Sequence, residues 1–128
     1  MGLDMFLEGR KGLPQNYKEP ETDIHVDGFR LKSVTLDLGY WRKHPNLHGF
    51  IVQTFAAGVD ECQQIPLDAV KVETILAASE ADDLPETEGF FFGSSQPEHK
   101  ADTKEQLLKV LAWLKANPGK AIYYRASW

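Results

Sequence analysis

The stretch "VTLDLGYWRKHPNLHGF", Val34 to Phe50, changes its hydrophobic period halfway along. Val34, Leu36, Leu38 and Tyr40 alternate with Thr35, Asp37 and Gly39, the period of a strand with one covered face. Pro45 suits the first turn of a helix, where its missing N–H is not needed. Leu47, Phe50, Ile51 and Phe55 then recur with helical spacing as far as Gly58. Residues 41–44 are therefore a strand-to-helix junction, a place where side chains often project into a cleft.

Upstream, Asp27-Gly28 between Ile24/Val26 and Phe29/Leu31 is a hairpin signal. "RKGLPQNYKEPETD" (residues 10–23) has two prolines and no usable period, as expected of a loop or a mobile flap. Leu3, Met5 and Leu7 alternate with Asp4, Phe6 and Glu8, a first strand. Downstream, a second helix is expected after Asp68 as N-cap, carrying Val72, Ile75 and Leu76. "GFFFG" (residues 89–93) reads as a strand in the middle of the sheet. A third helix is expected from Asp102 as N-cap, with Glu105 completing a capping box, up to Asn117-Pro118-Gly119. "AIYYRASW" closes the chain as a paired strand, with Tyr124 on the side opposite Tyr123. The whole, residues 1–128, reads as a single α+β domain: a mainly antiparallel sheet of four to five strands with about three helices packed on it.

A chain of 128 residues buries roughly two thirds of the surface its unfolded form exposes, enough for a real core. Fourteen Lys and Arg against 19 Asp and Glu leave a net charge of −5, which opposes generic attachment to nucleic acid. The single cysteine, Cys62, permits neither an intramolecular disulfide nor a thiolate zinc site. No apolar run approaches a membrane span, and the opening residues lack the basic start and apolar centre of a signal peptide. A cytoplasmic protein with no membrane partner is expected.

His44 and His48 are four residues apart, as helical zinc ligands can be, but the residue before a proline is pushed out of helical geometry. No metal site and no cofactor are expected. His48 falls within the apolar face of its helix, so its ring nitrogens need partners. As a structural residue it would bond a backbone carbonyl or a carboxylate such as Asp37 or Asp4. As a functional one it would be a general base at the floor of a cleft lined by Trp41, Arg42, Asp60 and Arg125. His48, Asp60 and Cys62 are the catalytic candidates; Trp41, Arg42 and Arg125 could bind a ring, a phosphate or a carboxylate. Phe91 and Tyr123, opposite in phase to inward-facing neighbours, are candidates for a protein-binding surface. "GFFFGSSQ" has neither the lysine of a P-loop nor the third glycine of a dinucleotide fingerprint.

"MGLDMFLE", "YWRK" followed by His48, Asp60-x-Cys62, "GFFFGS" and "YYRASW" together resemble a family of small uncharacterised proteins of bacteriophages and bacterial mobile elements, sometimes labelled phosphoglycerate kinase. Where members read RKANxIHxWF this chain has RKHPNLHGFI, so His48 matches while His44 and Pro45 depart. The kinase label does not transfer to a chain this short with no nucleotide-binding loop. The resemblance implies an accessory protein of a phage or prophage. The expected function is non-enzymatic binding of a host or phage protein; the alternative is a small ligand-binding or enzymatic domain with a cleft around Trp41, Arg42 and His48.

Overall fold

The computed structural model describes residues 2–89 and 91–128. The junction folds as its two periods require. Strand β4, Ser33–Arg42, is followed by helix α1, Pro45–Phe55. His44 between them has φ −110° and ψ 70°, outside the helical region, as the following proline demands. Before them come β1 (Asp4–Gly12) and the short strands β2 (His25–Val26) and β3 (Phe29–Arg30). After them come β5 (Ile65–Leu67), α2 (Ala69–Glu80), α3 (Glu98–Ala116) and β6 (Ile122–Ser127).

The main sheet has the order β4-β1-β6-β5 and is antiparallel throughout. β6 is thus interior, pairing Leu7 with Tyr124 on one side and Ile65 with Tyr124 on the other. Leu3, Met5, Leu7, Ile65, Leu67, Ile122, Tyr124 and Ala126 face inward and join Leu47, Ile51, Val72, Ile75, Leu107 and Val110 of the helices in one buried cluster. The alternate positions Asp4, Phe6, Glu8, Tyr123 and Arg125 stay partly exposed on the sheet's other face. Each fully buried aliphatic side chain contributes about 1.5–3 kcal/mol, so this one-sided core holds the sheet and helices together. The α+β architecture, the helices packed on an antiparallel sheet and the pairing of the last strand agree with the sequence reading.

Four features differ from it: β1 runs on to Gly12, into the stretch read as a loop; β5 has no counterpart in it; and the glycine-bounded aromatic segment and the start of α3 are built differently. Residues 89 and 91–93 are not in a strand: Phe92 N–H donates to the Gly89 carbonyl at 3.1 Å, closing a turn, and Gly93 takes φ +67°. The flanking glycines, read as strand boundaries, are what permits the turn. Phe90 lies outside the described residues. Helix α3 begins at Glu98, so Asp102 is an interior residue whose carboxylate accepts from Gln106 Nε2 at 2.9 Å. The true start is organised by Pro97 and by His99, whose Nδ1 accepts from Gln96 N–H at 2.8 Å. Thr103, next to Asp102 and fully buried, lies beneath Trp41, whose Nε1 donates to Thr103 Oγ1 at 3.0 Å.

β2 and β3 form a separate two-stranded ribbon in the long connection between β1 and β4. Leu13 N–H to the Lys32 carbonyl (2.8 Å) and Leu31 N–H to the Ile24 carbonyl (2.7 Å) tie its base together. Among the described residues no helix is long and apolar enough to cross a membrane.

Candidate functional site

The helical phase that places Leu47 and Ile51 in the core also turns His48 inward, leaving it 2% exposed. It meets Tyr124 from the inner face of β6 and Asp60 from the loop after α1. His48 Nδ1 lies 2.6 Å from the Tyr124 hydroxyl, and Nε2 lies 2.9 Å from Asp60 Oδ2. Burial, reinforced by the charges of Asp60 and Cys62, raises the Tyr124 phenol well above its ordinary value, so it keeps its O–H. The Asp60 carboxylate can only accept, so the ring proton of the singly protonated imidazole sits on Nε2 and Nδ1 accepts from Tyr124; the order of donation is Tyr124 to His48 to Asp60. Phe92 packs its ring at 5.2 Å and 87° to the imidazole, and Trp128 Nε1 donates to Asp60 Oδ1 at 3.3 Å.

This arrangement answers the question His48 raised. Its carboxylate partner is Asp60, not Asp37 or Asp4. Asp4 belongs to the opposite face of the sheet, where it accepts from the Tyr40 hydroxyl at 2.5 Å and pairs with Arg42 at 2.8 Å. The Tyr40 bond first, and Arg42 after it, hold the Asp4 carboxyl below its ordinary range, and Asp4 raises Tyr40 in return. With both nitrogens bonded inside the fold and almost no exposure, His48 has no geometry for taking a proton from a bound molecule. Cys62 is exposed, at φ +57°, and forms no pair with His48.

The five-residue cleft is not assembled. Trp41 is a core residue bonded to Thr103. Arg42 is exposed on Asp4, and Arg125 bonds Glu8 at 2.7 Å with its guanidinium 4.3 Å over the Phe6 ring. Both arginines are on the sheet face opposite the helices. Tyr123 shares that face, half-buried, as its phase against Tyr124 requires.

What the structure does bring together beside Asp60 is a cavity of about 320 Å³ lined by Asp60, Glu88, Gly89, Phe91, Phe92 and Trp128. Tyr124, Glu88, Phe92 and Trp128 were not singled out from the sequence. Tyr124 and Trp128 shared the alternation of the last strand, and Phe92 the phase opposite Phe91; Glu88 carried no signal of its own.

A second cavity, about 390 Å³, lies where the first turns of α1 and α3 approach the end of α2, lined among others by His44, Asn46, Ser79, Ser95 and Lys100. His44, set aside from the sequence, is 4% exposed and stacks on His99 at 4.3 Å and 11°. Its Nδ1 is 2.7 Å from Ser95 Oγ, and Nε2 has no partner among the described residues. Burial first, and the neighbouring His99 second, lower its pKa to about 3. No group of three or more His, Cys, Asp or Glu among the described residues could hold a metal ion.

The ribbon supplies the most exposed apolar surface. Val26 and Phe29 are paired across it, and Ile24, two residues before Val26, shares their face. Their exposures are 52%, 78% and 60%. The opposite face is polar: Arg30 lies over the Tyr17 ring at 4.8 Å and pairs with Asp23 at 3.7 Å. Compared with known protein families, curated proteins and solved structures, the chain matches none.

Proposed function

We propose that this protein is a non-enzymatic binding module of a phage, prophage or mobile element that engages a partner protein through the apolar face of its β2–β3 ribbon. The observation that carries the reading is that face itself: Ile24, Val26 and Phe29 side by side, each more than half exposed. An isolated two-stranded ribbon is marginal in water, and large apolar side chains placed on one face of it are stabilised when something covers them. The mobile-element setting rests on the motif resemblance. The enzymatic alternative needs a reachable His48, and its enclosure takes the support from that reading.

The occupant is a different protein bearing an apolar groove, not a second copy. With about 150–250 Å² for a whole aromatic side chain and less for the aliphatic ones, the face offers about 350 Å² per molecule. Two such faces together would bury about 700 Å², short of the roughly 1,200 Å² at which stable interfaces begin. A narrow ribbon inserted into a groove is instead covered on more than one side.

The test is p-benzoylphenylalanine at position 29, irradiated in cells carrying the element, with the same group at Val70 as control. Val70 is 70% exposed and belongs to α2, not to the ribbon. A discrete heteromeric adduct at 29 and not at 70 is the expected result. No adduct at 29, equal labelling at both positions, or an adduct of twice the monomer mass each overturns the proposal.

A further inference from the structure

We propose that the cavity beside Asp60 is a binding site for an alkylammonium group, held against the rings of Phe92 and Trp128 and facing the carboxylates of Asp60 and Glu88. This is independent of the ribbon. Phe92 and Trp128 have centroids 6.0 Å apart and planes at 70°, so two aromatic walls meet at a corner. Phe91 adds a third lining ring. A cation within about 6 Å of such faces is attracted by the ring quadrupoles, most strongly by tryptophan.

The charges favour the same ligand. Asp60 receives His48 Nε2–H and Trp128 Nε1–H, and among the described residues no lysine or arginine pairs with Asp60 or Glu88. Elsewhere the fold covers aromatic faces with its own cations: Arg30 on Tyr17, Lys71 on Phe55, Arg125 on Phe6. Among the described residues, none of the chain's cations lies over Phe92 or Trp128. Lys43 packs on the Gly93 loop but does not line the cavity. Two carboxylates with no lysine or arginine on them, beside the Phe92 and Trp128 rings that carry no cation of the chain, disfavour an anion and reward a cation with apolar substituents. At about 320 Å³ the cavity is near the small end of ligand sites, suited to a single head group.

The positioning of Asp60 explains the buried chain behind it. Tyr124 can donate only to His48, which fixes Nε2–H toward Asp60 Oδ2. Oδ1 is left at the cavity with the Trp128 indole, and the second aromatic wall is thereby tied to the first carboxylate.

The experiment is titration of the ¹⁵N-labelled protein with choline, with Nα-acetyl-trimethyllysine amide and with 3,3-dimethylbutan-1-ol, the neutral isostere of choline. Among the three indole N–H signals, Trp128 is expected to shift saturably with the two cations, with a Kd at or below about 10 mM, while Trp41 and Trp113 stay in place. The tighter of the two cations tells a free ligand from a peptide-borne one. E88Q and W128A are expected to weaken choline at least tenfold, W128A being read through the Phe92 ring signals. Equal binding of the neutral isostere, shifts confined to Trp41 or Trp113, no shift with either cation, or E88Q and W128A binding as the parent does would each overturn the assignment.

Discussion

Tyr124→Phe removes one oxygen and changes nothing else in side-chain shape, which makes it the cleanest probe of the buried chain. The hydroxyl is 2.6 Å from His48 Nδ1, and both residues are almost fully enclosed. Its loss leaves an imidazole acceptor in the core with no partner, a cost of about 1–3 kcal/mol. At about 2.1 cal/mol/K per residue, a chain of 128 residues has an unfolding entropy of about 0.27 kcal/mol/K, so Tm should fall by about 4–11 °C. Calorimetry or circular dichroism melts measure this directly. Tyr123→Phe is the control: its hydroxyl has no hydrogen-bond partner among the described residues, and the expected change is under about 2 °C. A Tyr124→Phe shift below about 1 °C would refute the chain of donation, as would long-range ¹H–¹⁵N spectra showing the His48 proton on Nδ1.

His44 links stability to acid. Its unfolded imidazole takes a proton near pH 6.5 and the folded one only near 3, so between those values the unfolded state binds more protons and stability falls as pH falls. At about 1.4 kcal/mol per pH unit the loss at pH 5 is about 2 kcal/mol; His44→Gln should flatten the Tm profile from pH 7 to 5, and superimposable profiles would contradict this. Gly49→Ala, normally favourable inside a helix by about 1 kcal/mol, should instead destabilise by about 1–2 kcal/mol, because the new methyl would fall on the Thr87 hydroxyl and 2.8 Å from Thr87 Cβ. Adding Thr87→Ala should recover at least half of that loss in urea melts, and a stabilised single variant would show that residue 87 does not approach α1 as closely as found.

Pro45 made the central junction legible, because one residue both starts α1 and bars His44 from it. The alternation in "AIYYRASW" was equally direct and placed Tyr124 in the core. Long-range pairing was not legible. Nothing local ties Asp60, on an irregular loop, to His48, and the helical phase that showed His48 needing a partner could not choose among the carboxylates. Ile65-Pro66-Leu67 escaped notice because a proline seldom continues a strand, yet an edge strand such as β5 tolerates it. The polar first turn of α3 carries no apolar period, so the capping signal at Asp102 stood out although the helix had already begun. The ribbon misleads in a different way: the alternation through Val26 and Phe29 is the pattern of a covered strand, and sequence cannot show that the cover is missing from this chain.

Counting donors against acceptors separates the two roles a buried histidine can have. A general base needs a lone pair aimed at substrate, and in His48 the only lone pair of the neutral ring is occupied by Tyr124. What the chain delivers outward is a donor, Nε2–H, and it ends on Asp60. Asp60 in turn receives two donors, His48 on Oδ2 and Trp128 on Oδ1, one per oxygen. A neutral amide at position 60 would offer a single oxygen to those two donors and set its own N–H against one of them. The pair of donors therefore selects a carboxylate, and with it a negative charge, at the one place where the core's hydrogen bonding reaches an aromatic cavity. The same bonds that make His48 unusable as a base make Asp60 a fixed anion, which is the property a cation site requires.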